Sequence, residues 1–436
     1  VRTFLLAFTL VFLLRLSALL AAPGLPLWFD EAWTAQFATF PSSPATVVRR
    51  VAAEDLHPPL GYLAYKAWAG LLGIRDGIEA PPPPGHEDRL RLLPLLAGSL
   101  GAGFLALAAL RLGASEAGAL AAALLSAASP AALSVGLEVR QYGLLLFLFP
   151  LLLYAFAAEK KWLFALTGAA ALYTHYAALL FLLPFALHRA FRRPVALALI
   201  LFLPWVPALL RQLTSPLMEE ARRHTMSPAE LLSPFLANLG GDPLLGLPLL
   251  ALAGLGLRRA GLSLPAIGFF VGLLAFFVLK SPGGNPRYAV LLAPYLALGL
   301  AFALEALRDR VRGLPSALFL LLPAALLPIS FPQAIGYREA AASQAEAAVF
   351  AASVPLELVY AYNRSAAYTF RYYERRKAVE PVSPSPPRRP GLLIAPAPPI
   401  LSKVRGLPPW LLEAEPVYVP GGWAVYLWRG GGQGGR

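Results

Sequence analysis

The chain contains no cysteine, which removes disulfides and thiol chemistry and leaves the compartment unreadable from thiols. Charge is almost as scarce. Only 14% of the residues are charged against 58% hydrophobic, with a mean hydropathy of +0.61, and a soluble domain of 436 residues would not have that balance. Asp-x-Asp occurs nowhere, so the pattern lends no support to metal dependence, and no cofactor is required by it. No convincing internal repeat is present, which speaks against the repeat-built transporters. No clear small-residue cleavage site precedes the first acidic motif, so the first apolar run reads as a retained helix and not as a signal peptide.

What is present is a succession of apolar runs near the ~20 residues needed to cross hydrocarbon, recurring from Thr3 to Pro332 and then stopping. They predict about eleven spans, at 3–22, 91–110, 117–135, 142–158, 162–174, 177–188, 194–210, 243–257, 262–279, 288–305 and 314–332. Much of the net charge of +13 lies in short clusters between runs: Arg111, Lys160-Lys161, Arg189 with Arg192-Arg193, Arg258-Arg259, and Arg308, Arg310 and Arg312. That is the pattern of cytoplasmic loops and anionic-lipid contacts, not of a nucleic-acid surface, so no nucleic-acid partner is expected. An odd number of spans puts the termini on opposite sides. The expectation is a multi-pass protein of the cytoplasmic (inner) membrane, N-terminus inside and the segment after Pro332 outside.

Two regions depart from plain spans. Trp162 to His188 is too short for two ordinary crossings yet carries basic clusters at both ends, which predicts two short helices meeting at Tyr173-Thr174-His175-Tyr176 and lining an outward cavity. The first outside loop, 28–89, reads as interfacial helices. Ser43-Pro44 opens an amphipathic one, His57-Pro58-Pro59 starts a second that runs to Gly73, and Pro81 to Pro84 form a polyproline bend. After Pro332 a helix (338–350), a strand (356–362), a helix (365–374), a Pro-rich connector (381–390), a strand (391–395) and a hairpin around Pro420-Gly421-Gly422 predict a small α/β domain. The expected organisation is an all-α polytopic membrane domain, 1–332, followed by a small extracytoplasmic α/β domain, 333–436.

The topology gathers Asp30, Glu31, Glu54, Asp55, His57, Glu138, Arg140, His175 and Arg287 on the outer side. Carboxylates and imidazoles can move protons, and guanidinium groups suit a phosphate. Each residue also has a structural reading. Asp30 and Glu31 would serve equally as acidic residues opening a helix at Ala32. His57 could simply start a Pro-led helix, and with Asp55 it could hold a divalent cation. Arg140 and Arg287 could snorkel to headgroups, His175 could be a buried hydrogen-bonded residue, and Tyr142 and Tyr288 could belong to the aromatic belt. Helical spacing sets Glu138 with Tyr142 and not with Arg140, so both charges share a site only if the helix starts near Arg140.

The order Phe29-Asp30-Glu31-Ala32, Leu56-His57-Pro58-Pro59-Leu60-Gly61-Tyr62, Ser129-Pro130 with Glu138-Val139-Arg140-Gln141-Tyr142-Gly143-Leu144, Tyr173-Thr174-His175-Tyr176 and Pro286-Arg287-Tyr288 resembles the GT-C membrane glycosyltransferases. The likeness is to the branch of protein O-mannosyltransferases and the lipid A aminoarabinose transferase, and it covers nearly the whole chain. It implies an inverting glycosyltransferase that moves a sugar from a polyprenyl-phosphate donor to a glycan, lipid or protein hydroxyl of the envelope. On that resemblance Asp30 takes the catalytic acid position and acts as general base, with Glu31 in support. His57, Glu138, Arg140, Tyr142, His175, Arg287 and Tyr288 then bind donor phosphate or sugar. The competing readings are a flippase or transporter for a lipid-linked glycan, and a binding partner without transferase activity.

Overall fold

The computed structural model describes residues 1–75, 85–216, 218, 228–278, 286–311, 315–374, 377–382, 390–397 and 416–428. The chain is predominantly helical, with several long apolar helices and a small C-terminal sheet. It is a multi-pass membrane protein. Among the described residues five helices are long and apolar enough to cross a membrane, or up to seven if each of two sharply bent helix pairs is one span. The expected count of about eleven would require shorter apolar helices such as Gln141–Ala157 and Ala178–Leu187 to cross as well. Short, broken helices are the reason the two counts differ, and they persist in lipid only where protein satisfies their free backbone groups.

Two compact units make up the chain. The first comprises Val1–Ala21, Ser43–Ala64 and Arg91–Ile335, and the second Ala22–Ser42, Tyr65–Leu90 and Gly336–Arg436. By contact the chain divides after Ile335, inside a continuous helix, and the first outside loop is shared between the units. The helix expected to stop at Pro332 continues as Leu321–Ser353 with Pro328 and Pro332 inside it, merging the last expected span with the expected helix 338–350. An internal proline costs a helical hydrogen bond, which is why the sequence suggested a stop there.

In the first unit, the predicted amphipathic helix is Pro44–Glu54, capped by Ser43, whose hydroxyl accepts from the Thr46 N–H at 3.1 Å; Val47 and Val51 are buried. The next helix, Leu60–Leu71, begins just after the two prolines. The expected junction of two short helices is present: Lys161–Thr174 ends at His175, and Ala178–Leu182 follows. Small residues let long helices approach closely, as is common in membranes. A methyl group on Gly256, in the Pro243–Arg259 helix, would lie 1.8 Å from the Gly299 carbonyl oxygen in the Ala293–Arg310 helix. Aromatic rings fill the space nearby, with Phe149 stacked on Phe181 at 3.9 Å and Phe181 on Tyr295 at 4.8 Å.

One buried charge belongs to the first span. Arg15, 1% exposed in the Arg2–Leu20 helix, donates from Nη1 to the Gly136 carbonyl at 3.1 Å. The guanidinium occupies space left by two glycines: a methyl on Gly98 would sit 2.8 Å from its Nη1, and one on Gly136 2.7 Å. Gly136 lies in the 3-10 turn Val135–Leu137, which leads directly to Glu138 and Arg140.

The second unit holds the sheet, in the order β2-β1-β3-β5-β4. The strands are β1 (Leu358–Ala361), β2 (Ala378–Pro381), β3 (Gly391–Pro396), β4 (Pro416–Tyr418) and β5 (Trp423–Trp428). β1 pairs in parallel with both β2 and β3, and β5 runs antiparallel to β3 and β4. The predicted hairpin forms with Gly421 at φ +122, a conformation that favours glycine. β2 was not expected, because its last residue, Pro381, opened the expected connector and 378–380 carried no assignment; as an edge strand it tolerates that proline. The Arg364–Tyr373 helix joins β1 to β2, opened by Asn363, whose side chain accepts from the Ala366 N–H. The polyproline bend 81–84 and most of the Pro-rich connector lie outside the described residues.

Candidate functional site

In the first unit the local backbone decides which polar side chains meet. Glu138 and Arg140 are both extended, the Arg140 N–H bonds the Glu138 carbonyl at 2.6 Å, and the next helix starts at Gln141. The condition on helix spacing is therefore met, and the two charges are not separated around a helical turn. Glu138 accepts from Arg287 Nη1 at 3.4 Å, with the carboxylate and the guanidinium 5% and 14% exposed. Pro286–Leu292 forms a 3-10 helix that carries Arg287 and Tyr288; the residues just before it lie outside the described ones.

Around the charges stands a ring of aromatics and imidazoles. Tyr142 lies 5.6 Å from His175 and 6.1 Å from Tyr288, His175 lies 5.8 Å from Tyr288, and His57 lies 5.2 Å from His175, measured between ring centres. Asp55 anchors His57 twice: its Oδ1 is 2.7 Å from the ring Nδ1 and accepts the His57 backbone N–H at 2.8 Å. Seven of the predicted residues, His57, Glu138, Arg140, Tyr142, His175, Arg287 and Tyr288, thus share one neighbourhood with Asp55. Glu54 takes another partner, Arg50, at 2.9 Å on its own helix.

His175 is the most constrained of these. Its Nδ1 accepts the Ala177 N–H at 3.0 Å, which assigns the ring proton to Nε2. Nε2 is buried and has no hydrogen-bond partner among the described residues. Burial, then the proximity of His57 and of the Arg140 charge, push its pKa well below the ordinary histidine value, so the ring stays neutral and Nε2–H remains a donor. A buried donor of this kind is costly unless a ligand accepts from it.

Sequence reasoning passed over the support of this cluster. Gln212 donates to the Val51 carbonyl at 3.1 Å and, more weakly, to that of His57 at 3.4 Å, while its side-chain oxygen accepts from Tyr176. Trp205 Nε1 donates to the Tyr176 hydroxyl at 2.8 Å. The single signal was Gln212 beside Arg211 at the end of an apolar helix, which on its own does not distinguish support from surface.

A divalent cation could use Asp55 and His57, but among the described residues no group of three or more metal-ligating side chains comes together. Two ligands leave a cation mostly dependent on water or substrate oxygens.

Asp30 and Glu31 belong to the second unit, in the first turn of the Phe29–Thr39 helix. The N-cap is Trp28, whose side chain makes no capping bond, so the acids contribute to helix initiation through the dipole. Glu31 is buried, and Asp30 is half-buried. Phe29 and Trp33 bracket them and pack on Tyr368 of the Arg364–Tyr373 helix, with ring centres 6.3 and 5.2 Å apart. Deeper support comes from His86, whose Nε2 is 2.8 Å from the Tyr372 hydroxyl, and from Asp88, which accepts the Gly24 N–H at 2.7 Å.

Comparison with solved structures shows a GT-C fold here. The chain is similar to ArnT from Cupriavidus metallidurans in its apo state, with 16% identity, 97% of each chain covered and a TM-score of 0.59. It is also similar to the same protein bound to undecaprenyl phosphate (15%, 96% of this chain and 97% of that one, TM-score 0.50). The apo oligosaccharyltransferase of Archaeoglobus fulgidus shares 12% identity over 87% of this chain and 64% of that one, TM-score 0.55. No protein-family model matches the sequence, and comparison with curated proteins gives no match.

Proposed function

We propose that the chain is an inverting glycosyltransferase that moves a sugar from a polyprenyl-phosphate donor to a hydroxyl of an envelope glycan, lipid or protein. The observation that supports this best is the cluster of Arg140, Arg287 and the neutral His175 in a membrane protein of GT-C fold. Two guanidinium groups and a buried N–H donor suit a phosphodiester oxygen better than any neutral headgroup. Undecaprenyl phosphate bound to a protein of the same fold is consistent with that reading.

In this mechanism Asp30 removes the proton from the acceptor hydroxyl as its oxygen attacks the anomeric carbon from the face opposite the phosphate. The bond from that carbon to the phosphate oxygen breaks, the configuration inverts, and the electron pair leaves with the lipid phosphate. Arg140 and Arg287 stabilise the charge that develops there. Glu138 holds Arg287 ready, and His57, oriented by Asp55, and His175 contact donor oxygens. Tyr142 and Tyr288 offer ring faces to the sugar, and Glu31 supports Asp30. The site faces the outer side of the cytoplasmic membrane, with the N-terminus inside, the C-terminal domain outside and about eleven crossings, the shorter apolar helices included.

The test uses membranes carrying the protein, incubated with undecaprenyl-phosphate-linked labelled sugars. Label should pass to an endogenous acceptor, and Asp30→Asn should lower the rate ~10²- to 10⁴-fold, the range for loss of a general base. Undiminished transfer by that variant removes Asp30 from the role.

A further inference from the structure

The second unit contains a cavity that the chemistry proposed above does not use. It is a half-open cleft of about 380 Å³, lined chiefly by Tyr362, Asn363, Tyr368, Arg371, Val379 and Pro381. That volume is within the ~300–1,000 Å³ of small-molecule sites, toward the lower end, and suits one or two sugar rings.

The cavity lies at the carboxyl ends of β1 and β2, where Ala361 and Pro381 are the last residues. From β1 the chain passes through the Arg364–Tyr373 helix to β2 on one side, whereas β3 pairs on the other side of β1. The strand order therefore reverses between β1 and β3, and the cavity lies on the other side of β1, between β1, β2 and the Arg364–Tyr373 helix.

Its lining selects a chemistry. Tyr362 and Tyr368 line it with amphipathic rings, a composition suited to a pyranose that is apolar on one face and hydroxylated at its rim. Asn363 uses its side-chain oxygen to cap the helix, accepting the Ala366 N–H at 2.9 Å, which leaves the amide NH₂ as a donor. Arg371 makes no ion pair among the described residues and is the one charge in the lining. Val379 and Pro381 face the cavity, so strand alternation turns Glu380 to the opposite face, away from that guanidinium. Tyr368 in turn packs on Phe29 and Trp33, on either side of Asp30 and Glu31, so the cavity wall is continuous with the helix that carries the proposed base.

We propose that this cavity is an acceptor subsite that holds a saccharide bearing a phosphate or carboxylate group. The acceptor role rests on the transferase reading; saccharide binding can be measured without it. The experiment is saturation-transfer NMR on the purified full-length protein in detergent, with glucose 6-phosphate, glucuronate, glucose and glycerol 3-phosphate as probes. The two acidic sugars should bind saturably, about tenfold more tightly than glucose, the factor expected for one charge-assisted contact, and more tightly than glycerol 3-phosphate, which has the charge but no ring to pack on the tyrosines. Arg371→Gln should abolish the preference for acidic sugars, and Tyr368→Leu should weaken all sugars. The inference is overturned if no sugar binds saturably, if Arg371→Gln keeps the preference, or if glycerol 3-phosphate binds as well as the sugars, which would mark an anion site only. Binding of undecaprenyl phosphate to the same preparations separates this inference from the reading it rests on. Lipid binding without saccharide binding sinks the subsite alone. Saccharide binding without lipid binding removes the donor reading and leaves a saccharide site.

Discussion

Replacing Gly136 by alanine tests the role of the buried Arg15 and, through it, the positioning of the charged turn. The new methyl carbon would lie 2.7 Å from Arg15 Nη1 and 2.8 Å from the Leu146 Cδ1 methyl. Leu146 can yield, because the contact is the far end of a flexible side chain. Arg15 cannot move away without losing its bond to the Gly136 carbonyl, and it is 1% exposed inside the first span. Overpacking costs ~1–3 kcal/mol and loss of a charged hydrogen bond ~1.5–3 kcal/mol, so Gly136→Ala should destabilise the protein by about 3–6 kcal/mol. In an Arg15→Met background the guanidinium is gone and only the Leu146 contact remains, so the same substitution should cost about 1 kcal/mol. The two costs, measured by SDS unfolding in mixed micelles, form a double-mutant cycle. Equal costs in both backgrounds, or no cost in the wild type, would show that Arg15 does not hold this turn. Because Glu138 and Arg140 follow the turn directly, Gly136→Ala should also weaken lipid-phosphate binding.

Arg140→Gln and Arg287→Gln should each weaken binding of undecaprenyl phosphate about 10- to 100-fold, and Arg140→Lys should recover only part of it, since an ammonium cannot bind bidentately; unchanged binding by both Gln variants removes the phosphate site. His175 titrates below its ordinary value of 6.5 in the folded protein, so the unfolded chain binds more protons and stability rises with pH across that window. The wild type should therefore lose stability as pH falls from about 6.5 toward the folded pKa, a loss that His175→Gln should lessen in unfolding measured at pH 7.5 and 5. Gly256→Ala places a methyl 1.8 Å from a backbone oxygen, a clash no rotamer relieves, so it should cost about 3 kcal/mol and reduce the yield of monodisperse protein in size-exclusion chromatography.

Much of the candidate cluster was legible because its residues are chemically conspicuous in an apolar chain. His57 ahead of two prolines, His175 between two short helices and Arg287 in Pro286-Arg287-Tyr288 all stood out, and the structure brings the rings of His57 and His175 to 5.2 Å. Glu138 and Arg140 were legible only conditionally, since their meeting depended on where a helix began; the extended backbone at Arg140 supplies that condition. Gln212 was missed, and Tyr176 was named only as part of the helix junction, because no local pattern encodes their contact 36 residues apart. The fold failed to read where proline misled. Pro332 signalled a stop inside a continuous helix, and Pro381 hid a strand whose edge position tolerates it. The sharing of 22–42 and 65–90 with the C-terminal sheet unit was also invisible, because it depends on packing such as Tyr368 against Trp33, far apart in sequence.

The most direct test is mass spectrometry of lipid-linked saccharides and envelope glycans in cells lacking this chain. A transferase that consumes a polyprenyl-phosphate sugar leaves that donor accumulated and one glycan, lipid or protein substituent missing, and the wild-type sequence restores both while Asp30→Asn restores neither. Unchanged donor and substituent levels, or full restoration by Asp30→Asn, would contradict the proposed catalysis.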